Sequence, residues 1–299
     1  MDRPRVSVVI PAYNAAATLA RAITSAQAQT SPPDEILVID DASSDATAAL
    51  AEKFGAKPIR LPARQGAAAA RNAGIAAATG EAIAFLDADD EWLPGKLARQ
   101  LPLLTDASFV ACGANLFAEN GKDLGPLYDG EIPDEGTESW RGLLARNTIA
   151  TSCVVAWRRE LVAAGGFDPA LPVAEDQDLW IRLALRGRLR YLDATLVHMH
   201  HTKISVSGVG TALGARQQVR YTLPMIERHI AANRARLSAR DIRKIRGGRL
   251  LRIGRGACWT GAWGEGARLI LAAALLGYRP LEGFRVVLAT APPVRWLRR

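Results

Sequence analysis

Three short, largely apolar runs, Val6–Ile10, Ile36–Ile39 and Ala82–Leu86, each end in a polar or acidic cluster and are separated by helix-forming stretches. Runs of this length bounded by turn residues read as strands buried on both faces, and strands alternating with helices read as a parallel sheet. The expected fold class is therefore α/β, an open sheet flanked by helices. In such sheets ligands bind beyond the C-terminal ends of the strands. Here those ends carry Pro11-Ala12-Tyr13-Asn14, Asp40-Asp41 and Asp87-Ala88-Asp89-Asp90, three clusters that describe one crevice.

The residue types in that crevice point to particular chemistry. The third cluster falls at its strand's C-terminal end, where alternation turns Asp87 and Asp89 to the same side and Ala88 leaves backbone room between them. A carboxylate pair of this kind suits one hard divalent cation, Mg²⁺ or Mn²⁺, which also takes oxygens from substrate phosphates. Asp90 and Glu91 equally suit the cap of a helix starting near Leu93. Tyr13 offers a ring on which a nucleotide base can stack, and a carboxylate at Asp41 can accept the imide N–H of uracil. Gly66 opens a small-residue helix in which Arg71 either reaches a phosphate or serves packing. Further on, Glu175-Asp176 starts an amphipathic stretch running through Leu185, so Asp176 is expected in the first turn of a helix and deprotonated near neutral pH. Trp180 on that helix is a core aromatic or a wall of an acceptor pocket.

Charge divides the chain. Residues 211–299 hold 18 Lys and Arg against 4 acids, a net +14, whereas residues 1–210 carry −6. The expected organisation is a catalytic domain over 1–210 and a basic helical region over 211–299. The latter has helical stretches at Ala239–Arg246 and Ala267–Leu271, with breaks at Gly247-Gly248, Gly277 and Pro280. Basic amphipathic helices with Trp259, Trp263 and Trp296 suit an anionic membrane surface, or else a packed subdomain with a solvated basic face. The longest strongly apolar run, Leu269–Leu276, is too short to span a bilayer. The three cysteines, Cys112, Cys153 and Cys258, are far apart and indicate no disulfide framework, which suits a reducing compartment. His198, His200 and His201 do not make a zinc site, because an extended chain divides them between two faces and no second ligand set stands at suitable spacing. The chain also enters its first strand without a secretory signal, so a cytoplasmic location is expected, peripheral on the inner face of the plasma membrane.

Six ordered strings, VSVVIPAYNAAATL, VIDDASSDAT, GAAAARNAGI, GEAIAFLDADDEWLPGKL, GGFDPAL and AEDQDLWIRL, resemble glycosyltransferase family 2, the inverting enzymes of the GT-A fold, over roughly residues 4–205. The resemblance implies a nucleotide-sugar donor, a UDP-sugar in this reading, a glycan or lipid-linked hydroxyl acceptor, and a role in cell-surface polysaccharide assembly. By position it implies nucleotide contacts from Pro11, Ala12, Tyr13, Asn14, Asp41 and Ala88, and a diphosphate-side role for Arg71. It also implies metal ligation by Asp87 and Asp89, with Asp89 the direct ligand, and help from His201. Asp176 would be the general base, and Glu175 and Trp180 would lie on the acceptor side. Two other readings remain. A nucleotidyltransferase needs a Gly-rich phosphate loop after the first strand, which Pro11–Asn14 lacks. A non-catalytic adaptor would use the basic tail on phosphates but has no use for four acids in one crevice, and no nucleic-acid partner is expected.

Overall fold

The computed structural model describes residues 3–200 and 212–291. In chain order the elements are β1 (Val6–Ala12), α1 (Leu19–Gln27), β2 (Glu35–Asp40), α2 (Thr47–Lys53), β3 (Lys57–Arg60), α3 (Ala67–Ala77), β4 (Ala82–Phe85), β5 (Glu91–Trp92) and α4 (Lys96–Leu104). They continue with β6 (Phe109–Phe117), β7 (Asp123–Pro126), α5 (Trp140–Ala145), β8 (Val155–Trp157), α6 (Arg158–Ala163), α7 (Glu175–Arg186) and β9 (Leu189–His200). After these come α8 (Ala212–Gln217), α9 (Leu223–Ala232), α10 (Ala239–Trp259), α11 (Trp263–Leu275) and α12 (Pro280–Thr290). Contacts divide the chain into two units, one of residues 1–143 with 147–204, the other of residues 144–146 with 205–299.

The first unit is built on a nine-stranded sheet of order β3-β2-β1-β4-β8-β6-β9-β5, with β7 on β6. β1, β2, β3 and β4 run parallel, and β8 lies antiparallel to both β4 and β6. All four residues of β4 and nearly all of β1 are buried, as the unbroken apolar runs require when helices cover both faces. Strand order reverses between β1 and β4, and a crevice opens at such a switch point. Helix α3 presses against β1 there. A Cβ built on Gly74 would lie 2.3 Å from a Val9 methyl, so Gly74→Ala should destabilise the protein by about 1–3 kcal/mol in urea unfolding.

One expectation about the sheet fails in a way that matters. β4 ends at Phe85, and Asp87–Asp90 form a turn closed by the Asp90 N–H donating to the Asp87 carbonyl at 3.1 Å. Strand alternation therefore does not govern Asp87 and Asp89. The following helix also starts later than expected: the short strand β5 intervenes, and Gly95, in the left-handed region at φ +85°, precedes α4.

In the second unit α10 runs unbroken for 21 residues through Gly247-Gly248, against the expected break. The two glycines pack under Tyr278, where a Cβ on Gly247 would meet the tyrosine Cβ at 2.3 Å, so close packing overrides weak local propensity. Ser238 and Asp241 form a capping box at the helix start. Leu251, Cys258, Ile270 and Ala273 form a small core among α10, α11 and α12. No helix among the described residues is long and apolar enough to cross a membrane.

Candidate active site

At the end of β1 the chain turns outward at Tyr13 and passes through Asn14, which has φ +49°. Tyr13 is 37% exposed, and the Arg64 guanidinium lies 3.9 Å over its ring, so that ring face already holds a cation–π partner. Asn14 serves the loop: its side-chain oxygen accepts the Ser44 N–H at 2.9 Å and its own N–H donates to Ser43 Oγ. Asn14 thereby braces two loops of the crevice. Pro11 and Ala12 contribute strand backbone beside β2, and the Ala12 carbonyl accepts the Asp41 N–H at 2.8 Å.

Asp41 stands at the strand end as expected, but its carboxylate is committed. One oxygen accepts the Gln65 N–H at 2.7 Å and the other the Gly66 N–H at 2.8 Å, tying β2 to the start of α3. A base would have to share those oxygens.

Arg71 is engaged as well. It is 5% exposed, and its guanidinium donates to Asp87 at 2.8 Å and to Glu175 at 2.9 Å. The two carboxylates hold its pKa well above the ordinary arginine value against the opposing effect of burial. Arg71 thus bridges the acidic turn and the first turn of α7, with Glu175 as its ion-pair partner there.

The turn after β4 is held from beneath by Ser152. Its hydroxyl accepts the Asp87 N–H at 3.0 Å and donates to the buried Asp90 carboxylate, and the indole of Trp92 donates to the Ser152 carbonyl at 2.9 Å. Asp90 also receives the His200 N–H. Burial first, then repulsion from Asp87 and Asp89, pushes the Asp90 carboxyl well above the ordinary carboxylate range. Arg21 donates to the Asp89 main-chain oxygen, and Ala88 between the two acids is buried. Among the described residues no cluster of three or more His, Cys, Asp or Glu stands ready to hold a cation alone, and His201 lies outside them. Asp87 and Asp89 nevertheless fit a divalent ion as a partial donor set. Both are carboxylates, hard oxygen ligands, at the acidic turn after β4.

Asp176 sits in the first turn of α7 as expected, after Ala174 in the left-handed region at φ +63°. Its carboxylate accepts the Gln177 N–H at 2.6 Å and the Asn147 carboxamide N–H at 3.0 Å. Burial, with the neighbouring Glu175 charge, nonetheless pushes this carboxyl up to about 7. The expectation of a fully ionised group at neutral pH is corrected: desolvation outweighs the helix N-terminus, and the group is poised at its midpoint. Trp180 is corrected as well. It is fully buried against Phe85, Phe109 and Phe167, with ring centroids 5.8 Å from Phe109 and 5.9 Å from Phe167, and so belongs to the core and not to an acceptor wall. Asn147 and Ser152, which hold the two acidic groups, carry no marker in the sequence: they lie in the polar-rich stretch Arg146-Asn147-Thr148-Ile149-Ala150-Thr151-Ser152 with no motif around them.

With this geometry in view, the chain can be set beside known proteins. It is 31% identical to the putative teichuronic acid biosynthesis glycosyltransferase TuaG of Bacillus subtilis over 196 residues, covering 63% of this chain and 75% of that protein. It is 42% identical over 125 residues to an uncharacterized glycosyltransferase of Nostoc sp., covering 40% of this chain and 38% of that one. Over 107 residues it is 41% identical to the Escherichia coli UDP-Glc:alpha-D-GlcNAc-diphosphoundecaprenol beta-1,3-glucosyltransferase WfgD, covering 35% of this chain and 42% of the relative. The alignments thus span well under half of two of these relatives. Among solved structures the fold is similar to the mannosyltransferase PcManGT of Pyrobaculum calidifontis, with TM-score 0.63 at 19% identity, covering 100% of this chain and 89% of that one. It is also similar to residues 1–349 of Staphylococcus aureus TarS, with TM-score 0.57 at 19% identity, covering 95% and 90%. The architecture is the GT-A fold. The family model for glycosyl transferase family 2 matches residues 7–164, just over half of the 299 residues and inclusive of the crevice from Tyr13 to Ser152, and the chain belongs to that family.

Proposed function

We propose that this protein transfers a sugar, with inversion, from a nucleoside-diphosphate donor of the UDP type to a hydroxyl of a glycan or lipid-linked acceptor in cell-surface glycan assembly. The observation that carries the reading is the Arg71 bridge from Glu175 to Asp87, which ties the first turn of α7, where Asp176 is poised near neutrality, to an acid-rich turn at the sheet's switch point. Inverting transfer needs one carboxylate to take the proton of the attacking hydroxyl, and Asp176 is matched to that task by its raised pKa. Asn147 and the Gln177 amide orient its two oxygens. Asp87 and Asp89 would hold Mg²⁺ or Mn²⁺, which when bound supplies Lewis-acid stabilisation of the departing diphosphate. WfgD supports a UDP donor and a lipid-linked acceptor by its name, and two neighbours of the fold were solved with UDP-GlcNAc and with GDP-Man and Mn²⁺.

A thermal-shift panel of nucleotide-sugars with and without Mn²⁺ tests this reading. A donor at 100 times its Kd should stabilise by about 2.7 kcal/mol, raising Tm by roughly 5–10 °C, and chelation should remove most of that shift and the release of nucleoside diphosphate in a coupled assay. No shift with any nucleotide-sugar, or full turnover in excess chelator, would count against the donor and the metal respectively.

We also propose that the second unit meets an anionic membrane surface. Its helices pack among themselves, yet Leu271, Leu275, Leu281, Phe284 and Leu288 of α11 and α12 are more than half exposed, with Arg268, Arg279 and Arg285 also exposed on these helices and the linker between them. Apolar side chains rimmed by arginine match an interfacial helix on acidic lipid. The protein should sediment with vesicles containing anionic lipid, release as salt rises, and lose at least tenfold in partition as Leu281→Glu/Phe284→Glu. Equal binding to neutral vesicles, or none to either, would rule this out.

A further inference from the structure

Beneath the acidic turn lies a pair of thiols that the chemistry above does not use. Cys112 of β6 is 3% exposed and Cys153 is 1% exposed. Strand β6 pairs with β8 at Phe109–Ala156 and Val110–Val155, two positions short of Cys112 and Cys153, and Cys153 ends the 3₁₀ turn Thr151–Cys153 that leads into β8. The Cys112 thiol donates to the Cys153 carbonyl oxygen at 3.6 Å, which sets its sulfur against the residue that carries the second thiol. Both line one cavity of about 190 Å³ with Thr148, Tyr191 and Asp193, room enough for a small oxidant.

A third buried group acts on the pair electrostatically. Lys96 is fully buried, with its Nζ 4.1 Å over the Trp92 ring and without a hydrogen-bond partner. Burial lowers the Lys96 pKa, and the thiols act on it in the opposite sense. The Cys112 thiol is correspondingly lowered, despite its burial, by its hydrogen bond with Cys153 and by the Lys96 charge. A thiolate, not a thiol, attacks oxidants, and a buried cation beside it favours that form.

We propose that Cys112 and Cys153 are a modification site, a dithiol that closes reversibly to a disulfide on reaction with a hydroperoxide. The Cys112 proton passes to Lys96 and the thiolate attacks a peroxide oxygen. The O–O bond breaks, the leaving oxygen takes that proton and departs as water or alcohol, and Cys112 becomes a sulfenic acid. The Cys153 sulfur then attacks the Cys112 sulfur, the S–O bond breaks, and the hydroxyl leaves with the Cys153 proton as water. The dithiol loses two electrons and the peroxide gains them. A reducing dithiol reverses the closure, as suits a transient bond in a reducing compartment.

The closure acts on the crevice through one residue. Cys153 follows Ser152, whose hydroxyl holds the Asp87 amide and the Asp90 carboxylate, and the Cys153 carbonyl is itself held by Gln100 at 2.9 Å. Drawing Cys153 toward β6 pulls on the support of the Asp87–Asp90 turn.

The test uses the full-length reduced protein, titrated with hydrogen peroxide, alkylated and mapped by mass spectrometry without reduction. Two of the three thiols should be consumed, Cys112 and Cys153 should appear in one linked peptide, and dithiothreitol should restore both. Cys258→Ser should leave the link intact, while Cys112→Ala and Cys153→Ala should each abolish it. Hydrogen exchange over residues 86–91 should speed up by up to about tenfold in the oxidised protein, as expected from a weakened amide hydrogen bond, and not in peroxide-treated Cys112→Ala. Three free thiols after treatment, a link through Cys258, or Cys112 oxidised without linkage would overturn the site. A Cys112–Cys153 disulfide with unchanged exchange over 86–91 would overturn its coupling to the turn. Neither readout needs donor, acceptor or metal, so the outcome is separate from that of the glycosyl-transfer reading.

Discussion

Replacing Asp176 with Asn should lower turnover by roughly 10²–10⁴ and leave the protein at least as stable as the wild type above neutral pH. The amide keeps the shape and can still accept from Asn147, but it cannot take a proton from an acceptor hydroxyl. Donor affinity should change little, because the group faces the acceptor in the proposed reaction. The stability half of the prediction follows from the direction of the pKa. With its carboxyl pushed up to about 7 from an ordinary value of 3.8, the folded state keeps a proton that the unfolded chain has already released. That contribution is complete below about pH 4 and disappears as pH rises through 7, and Asn removes the penalty, on the order of 1–4 kcal/mol, of ionising a buried carboxyl at pH 8. Wild-type kcat/KM should rise through about pH 7 and level off above it, and the Asn variant should lose that limb. Near-normal turnover in the variant would remove Asp176 from the chemistry. An α-linked product from an α-linked donor, read by NMR, would remove inversion.

Arg71→Met should destabilise the first unit by about 3–5 kcal/mol, the range for breaking a buried ion pair from one side. The methionine fills the space, but Asp87 and Glu175 are left facing each other across it with no cation. At this size the loss corresponds to a fall in Tm of roughly 6–20 °C. Adding Glu175→Gln to Arg71→Met should recover part of it, since one of the two uncompensated charges is then gone. Arg71→Lys should recover little, because a single ammonium cannot address two carboxylates from different elements as a planar guanidinium does. A melting temperature unchanged by Arg71→Met would mean that the bridge holds nothing together.

Much of this architecture was legible in the chain itself, for identifiable reasons. The strands Val6–Ala12, Glu35–Asp40 and Ala82–Phe85 show as apolar runs because a parallel sheet covered on both faces leaves them no polar side. Strand ends are harder to read. One residue's difference in where β4 stops replaced a flat carboxylate pair with a turn, and only the hydrogen bonds of Ser152, some 60 residues away, decide that. Arg71 could be placed on a helix but not aimed, since its partner Glu175 is 104 positions along. Trp180 had a readable clue in the helical spacing of Leu179, Trp180, Leu183 and Ala184, all buried on α7. Asn147 had none: an asparagine in a loop becomes notable only when a carboxylate is folded onto it.

The separation of Asp90 from His200 by 110 positions, and of Arg71 from Glu175 by 104, sets the order in which this molecule comes into being on the ribosome. β1 to β4 pair from within the first 85 residues, so this side of the crevice has its framework early. Asp176, the proposed base, with the second partner of Arg71 and the strand that closes over Asp90, all arrive later. At roughly 5–20 residues per second, several seconds of synthesis pass between the two. Through that interval the nascent chain carries its acidic turn without the Glu175 contact, and the enzyme cannot act before its catalytic domain is nearly complete.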